Sequence, residues 1–134
     1  PECECLLARW DGDLLSLLMN SANGDLGSMK KPAVDAPASV CVVLASGGYP
    51  GVYETGKAIS GLELAEDVDG VTVFHAGTAW NEGVLETAGG RVLAVTAVGG
   101  TLEEARERAY RAADAIAFEG KHLRRDIGWR ALGR

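Results

Sequence analysis

The chain has 134 residues, enough for one ordinary domain and too few for two well-cored ones. It is 47% hydrophobic and 24% charged, a globular balance that excludes an intrinsically disordered chain. No apolar run approaches the ~20 residues of a membrane span, and the net charge of −6 disfavours nucleic acid and anionic membranes as partners.

The charge is unevenly spread. From Lys121 onward, five basic residues (Lys121, Arg124, Arg125, Arg130, Arg134) face one acid, Asp126, so a +4 segment closes a strongly acidic body. Such a tail is either a solvated end or the place where an anionic ligand is held. Three cysteines, Cys3, Cys5 and Cys41, are too few and odd in number for a disulfide framework and fit a reducing compartment. Cys3-Glu4-Cys5 has no second Cys or His pair at ligand spacing, so no metal site is expected there. Cys41, inside an apolar run, reads as a buried and inert thiol. The amino terminus has no basic-then-apolar signal pattern and no methionine, so Pro1 is expected to follow a processing event or a cut.

In chain order, the leucines of residues 6–20 predict one helix or two short ones packed on something. Asp11 or Asp13 caps the run 14–21, and Asn23-Gly24 stops it. Residues 30–37, with Pro32 and Pro37, read as a linker. Residues 39–45 form a short β-branched run before Gly47-Gly48-Tyr49-Pro50-Gly51, which predicts a buried strand and a glycine loop. Residues 57–62, 71–75, 84–87 and 91–97 read as further strands, with Asn81-Glu82-Gly83 and Gly89-Gly90 at hairpin positions. Residues 101–117 give the clearest helix: Thr101 and Glu104 make a capping box. Its apolar stripe is Leu102, Ala105, Ala109, Ala112 and Ile116, and Glu104–Arg108 and Glu107–Arg111 stand four apart in the favourable order. A last strand is expected at about 118–123. Helix, strands, long helix and strand in this order predict an α+β domain, its mainly antiparallel sheet covered by one long helix and preceded by a short helical segment.

Several residues invite chemical readings. Ser46 follows a strand and precedes two glycines, but the pattern is not that of a nucleophile elbow, and the loop lacks the Lys-Ser/Thr of a phosphate loop. His75 ends a strand, where a hydrogen-bonded structural role is the usual one, and His122 reads as surface. Gly99-Gly100-Thr101 opens a helix, but Glu103 and Glu104 already occupy the positive end of its dipole. Arg124-Arg125-Asp126-Ile127-Gly128 is the most chemical stretch, since adjacent guanidiniums can bind a phosphate bidentately. The residues predict an anion site without a catalytic pair or a metal cluster.

Pro1-Glu2, the 45–51 loop Ala-Ser-Gly-Gly-Tyr-Pro-Gly, Phe74-His75-Ala76-Gly77-Thr78 and Gly89-Gly90-Arg91-Val92-Leu93 stand in an order that resembles glycinamide ribonucleotide synthetase. That family is also called phosphoribosylamine–glycine ligase. Phe118-Glu119-Gly120 and the 124–130 block extend the resemblance over nearly the whole chain. It implies the carboxy-terminal portion of a cytoplasmic ATP-grasp ligase of purine synthesis. Such an enzyme joins glycine to 5-phosphoribosylamine through a glycyl phosphate, with ATP and Mg²⁺ (or Mn²⁺). The resemblance further implies that residues 1–31 are the tail of the ATP-grasp region and 32–134 the substrate-side domain. The ATP and metal machinery would then lie upstream of Pro1, and this chain alone would be inactive. Arg124 and Arg125 are implied ribose-phosphate binders, with Asp126 and Gly128 as positioning neighbours. Gly47, Gly48, Tyr49, His75, Gly77, Thr78 and Glu2 are further substrate-side candidates. Glu4 stands where the family has Gln, replacing a neutral donor with an acceptor. A stand-alone phosphoribosyl-ligand binding module, or a subunit docking on a separate ATP-grasp chain, are the other readings.

Overall fold

The structure, a computed structural model, describes residues 1–29, 33–34 and 36–133. Helix α1 (Glu2–Ala8), strand β1 (Trp10–Asp11), helix α2 (Leu14–Asn23) and a 3-10 turn (Leu26–Ser28) open the chain, and β1 pairs with β2 (Ala33–Val34). Then follow β3 (Ala38–Ala45), α3 (Leu62–Glu66), β4 (Val71–His75), the hairpin β5 (Thr78–Asn81) and β6 (Val84–Thr87), β7 (Arg91–Gly99) and α4 (Leu102–Ala115). The principal sheet has the order β3-β7-β4 and is antiparallel throughout. The α+β architecture is therefore the one that the element order predicts.

The register explains the core. Val40, Val42 and Leu44 lie opposite Ala97, Val95 and Leu93, and Val71 and Val73 continue those rows on β4. These side chains share one face because strand residues two apart point the same way. Helix α4 covers that face with Ala105, Ala109, Ala112, Ala113 and the succeeding Ile116, all fully buried. Alanine lets the helix backbone lie close to the sheet. The helix begins as the sequence demands, with Thr101 Oγ1 accepting from the Glu104 amide at 3.2 Å. The reciprocal bond shifts by one residue, since Glu104 takes the Gly100 amide at 2.7 Å. Glu104 also pairs with Arg108 at 2.7 Å, whereas Glu107 and Arg111 form no such bridge.

The opposite face carries Ser39, Cys41 and Val43 on β3 and is met by α1, which the Ser39 hydroxyl ties down by donating to the Cys5 carbonyl at 2.9 Å. Helix α2 is capped as expected: Asp13 accepts from the Ser16 amide, and Gly24 turns left-handed at φ 73°. It has no buried residue, and Leu15, Leu18 and Met19 are exposed.

Several elements differ from their expectation. Residues 57–60 run beside β6, with Ile59 donating to Leu85 at 2.8 Å, but Gly61 (φ 81°) turns the chain and Leu62 starts α3 instead of ending a strand. Residues 118–123 are not a strand. They touch the sheet at one isolated bridge, Ala45–His122, and the preceding Ala117 bridges Ser60, with a turn at Glu119-Gly120 between the two. Gly89-Gly90 passes between two sheets and closes no hairpin, since β6 pairs with the unanticipated β5. Lys30, Lys31, Pro32 and Asp35 of the expected linker, with the boundary at 31/32, lie outside the described residues, as does Arg134.

Close helix–sheet approach gives a prediction. Ala109→Leu forces added bulk between α4 and the sheet and should lower stability by roughly 1–3 kcal/mol. Urea unfolding followed by circular dichroism measures it, and an unchanged midpoint would contradict this packing.

Candidate functional site

The candidate residues fall into two groups. The first gathers where β3 and β4 end and β7 begins. Ser46 binds Gly90 through its amide (2.8 Å) and the Gly89 carbonyl through its hydroxyl (2.8 Å). Gly77 donates to Arg91 at 2.8 Å and accepts from Ala88 at 2.7 Å. A Cβ on Gly77 would sit 2.7 Å from the Gly89 Cα, so two backbones touch where no side chain fits. Gly90 backs onto the Tyr49 ring, Tyr49 meets Tyr53 edge-on at 6.1 Å, and Gly47 backs onto Gly120. Gly48 takes φ 94°, and the Tyr49-Pro50 bond is cis. His75 Nδ1 lies 2.9 Å from the Thr78 hydroxyl across the turn between β4 and β5. Ser46 is thus buried and spent on backbone bonds, as the absence of a nucleophile-elbow pattern suggests.

The second group is the basic tail, and α4 builds it. Residues 106, 110 and 114, four apart, share one stripe of the helix. Arg106 donates from Nε to the Ile127 carbonyl at 2.9 Å and from Nη2 to the Arg125 carbonyl at 3.0 Å. The Tyr110 hydroxyl donates to the Arg124 carbonyl at 2.8 Å and accepts from the Ile127 amide at 3.1 Å. Asp114 holds the Arg125 guanidinium with two bonds, at 2.6 and 3.0 Å. Lys121 caps the end of α4, its ammonium donating to the carbonyls of Ala113, at 3.0 Å, and Ile116. Leu123 and Ile127 pack against the core, which fixes the tail along the free edge of β3. Arg106, Tyr110 and Asp114 were not anticipated. Their signal is the four-residue spacing on the polar side of α4.

The two tail arginines differ in what they hold. Arg125 spans from the tail to α4, whereas Arg124 grips its neighbour Asp126 at 2.9 and 2.7 Å. The Arg124 bonds hold the Asp126 carboxyl below the usual carboxylate range, and those of Arg125 do the same to Asp114. Burial pulls the Lys121 ammonium below its ordinary value. Arg124 is the more open, with two-thirds of its side chain exposed.

Arg124 and Gly128 also line a groove of about 490 Å³ with Glu2, Cys5, Ser39, Cys41, Val43 and Ile127. Glu2 comes from the first turn of α1, so opposite ends of the chain meet there. Glu4 does not line the groove. Among the described residues no group of three or more His, Cys, Asp and Glu side chains can hold a metal ion, and no helix is long and apolar enough to cross a membrane.

The tail's attachment predicts a pH dependence. The carboxyl of Asp114 titrates lower in the folded chain than in the unfolded one. Its contribution is therefore full above the ordinary value near 4 and is lost as pH falls through the depressed one. Amide protection of residues 124–128, relative to intrinsic exchange rates, should fall below about pH 4, and Asp114→Asn should show that low protection at neutral pH. Tyr110→Phe should destabilise the same segment by roughly 1–2 kcal/mol through two lost bonds.

The chain matches the family described as phosphoribosylglycinamide synthetase, C domain, over residues 39–130. It is 49% identical over 133 residues to the phosphoribosylamine–glycine ligase of Caulobacter vibrioides, covering 98% of this chain and 31% of that protein. It is 51% identical over 134 residues to the chloroplastic phosphoribosylamine–glycine ligase of Arabidopsis thaliana, covering 98% of this chain and 25% of that one. A crystal structure of phosphoribosylamine–glycine ligase from Thermotoga maritima superimposes with a TM-score of 0.69 at 38% identity, over 84% of this chain and 26% of the other. The chain thus spans about a third or less of the length of the relatives it matches.

Proposed function

The chain belongs to the phosphoribosylglycinamide synthetase C-domain family, and from that premise we propose that it forms the phosphoribosyl-facing part of an ATP-dependent ligase. The reaction is the joining of glycine to 5-phosphoribosylamine in purine biosynthesis. The observation that supports this reading best is the groove shared by Glu2, Arg124 and Gly128, candidates drawn from opposite ends of the sequence.

Arg124 is the residue for the substrate phosphate. A guanidinium has five N–H donors and Asp126 engages two of its nitrogens, so the pair orients the fork while donors remain for a second anion. An exposed pair of this kind is worth little and yields readily to a dianionic phosphate. Arg125 holds the tail in place through Asp114. The Gly47–Gly48–Tyr49 loop, Gly77 and the His75–Thr78 pair do not line that groove and stand in this reading as separate contacts for the sugar or the amine. The described donor set does not fit a Mg²⁺ site. ATP and its metal belong in this reading to the rest of the cytoplasmic ligase, and the chain by itself does not turn over. Residues 1–31 are the tail of that ATP-grasp region, and the exposed leucines of α2 pack on it.

Two measurements test this. In a full-length ligase carrying this sequence, Arg124→Gln should raise the KM for phosphoribosylamine roughly ten- to a hundredfold, the worth of a charge-assisted bond. It should leave the KM for ATP unchanged, and an unaltered phosphoribosylamine KM would remove Arg124 from the site. By sedimentation equilibrium the chain alone should self-associate through α2, and Leu15→Glu with Leu18→Glu should return it to monomer. A wild-type monomer at high concentration would reject the docking role of that face.

A further inference from the structure

The groove holds two thiols that the sequence reads separately. Cys5, partly buried on α1, and Cys41, buried on β3, line the same cavity. The Ser39 hydroxyl bonds the Cys5 carbonyl at 2.9 Å. Cys41 is the next residue on that face of the strand, about 7 Å along, so the α1 backbone at Cys5 is pinned within one strand repeat of Cys41. Burial pushes the Cys41 thiol up. Cys3 is exposed and does not line the groove. Two residues apart on a helix, Cys3 and Cys5 point about 200° apart and cannot bond to each other without unwinding α1.

We propose that Cys5 and Cys41 form a reversible dithiol–disulfide site that clips α1 to the edge strand β3. The oxidant is a low-molecular-weight disulfide such as glutathione disulfide. The Cys5 thiolate, the more accessible, attacks one sulfur of that disulfide and forms a mixed disulfide, expelling one small thiolate. Cys41 then loses its proton to solvent and attacks the Cys5 sulfur, expelling the second small thiolate. Two protein thiols are oxidised to one disulfide, and one small disulfide is reduced to two thiols. A disulfide needs a Cα separation of about 4.4–6.8 Å, and the Ser39 bond holds the α1 backbone at Cys5 against the strand that carries Cys41. Such a bond would join the helical segment to the sheet across the groove.

The test uses the native chain with excess glutathione disulfide, followed by thiol counting after unfolding and by peptide mapping under non-reducing conditions. Free thiols should fall from three to none, with one glutathione on the exposed Cys3 and the peptide holding Cys5 joined to the one holding Cys41. Dithiothreitol should restore all three. In Cys41→Ser, Cys5 should instead keep one glutathione. Three remaining thiols, glutathione on Cys5 and Cys41 without a cross-link, or a Cys3–Cys5 bond would each overturn the proposal. None of these readouts depends on ligase activity.

Discussion

Helix α4 can rest on the sheet because its inner face is alanine, and that close approach organises both sides of the helix. Ala105, Ala109, Ala112 and Ala113 bring its backbone down on the rows formed by β3 and β7. With the axis fixed there, Arg106, Tyr110 and Asp114 stand at the height where the returning tail passes. A bulkier inner face would lift the helix and move all three anchors together. The tail has no regular structure of its own, so its shape is borrowed from α4.

This borrowing gives the two adjacent arginines different work. Both meet a carboxylate, but Arg125 crosses to another element, whereas Arg124 closes on a neighbour two residues away. A contact across elements resists removal because it holds two pieces of structure together. A local pair on an open surface is nearly neutral and can be exchanged for a better anion. Charge alone does not separate the two roles. Their partners do.

At the other end of the sheet, a glycine does what the tail anchors do near α4. Gly77 lies backbone to backbone against Gly89, so the loops after β4 and β6 close over the start of β7 without intervening side chains. Ser46 ties the loop after β3 into the same knot. The open face of α2 belongs to a different balance. Its leucines are patterned for burial, and nothing among the described residues covers them.

Local interactions were legible in the sequence. Capping by Asp13 and Thr101, the alanine stripe of α4 and the β-branched runs of β3 and β7 all depend on residues a few positions apart, which a linear pattern contains. The candidate blocks were legible too, through their order along the chain. What failed were the elements set by distant partners. Residues 118–123 look like a strand until the turn at Gly120 leaves them one isolated bridge, and 57–62 look like one until Gly61 opens α3. The groove that Glu2 and Cys5 share with Arg124 and Cys41, and the different partners of Arg124 and Arg125, came only from the fold. Each depends on which residues a folded chain brings within a few ångströms, and spacing along the sequence does not carry that information.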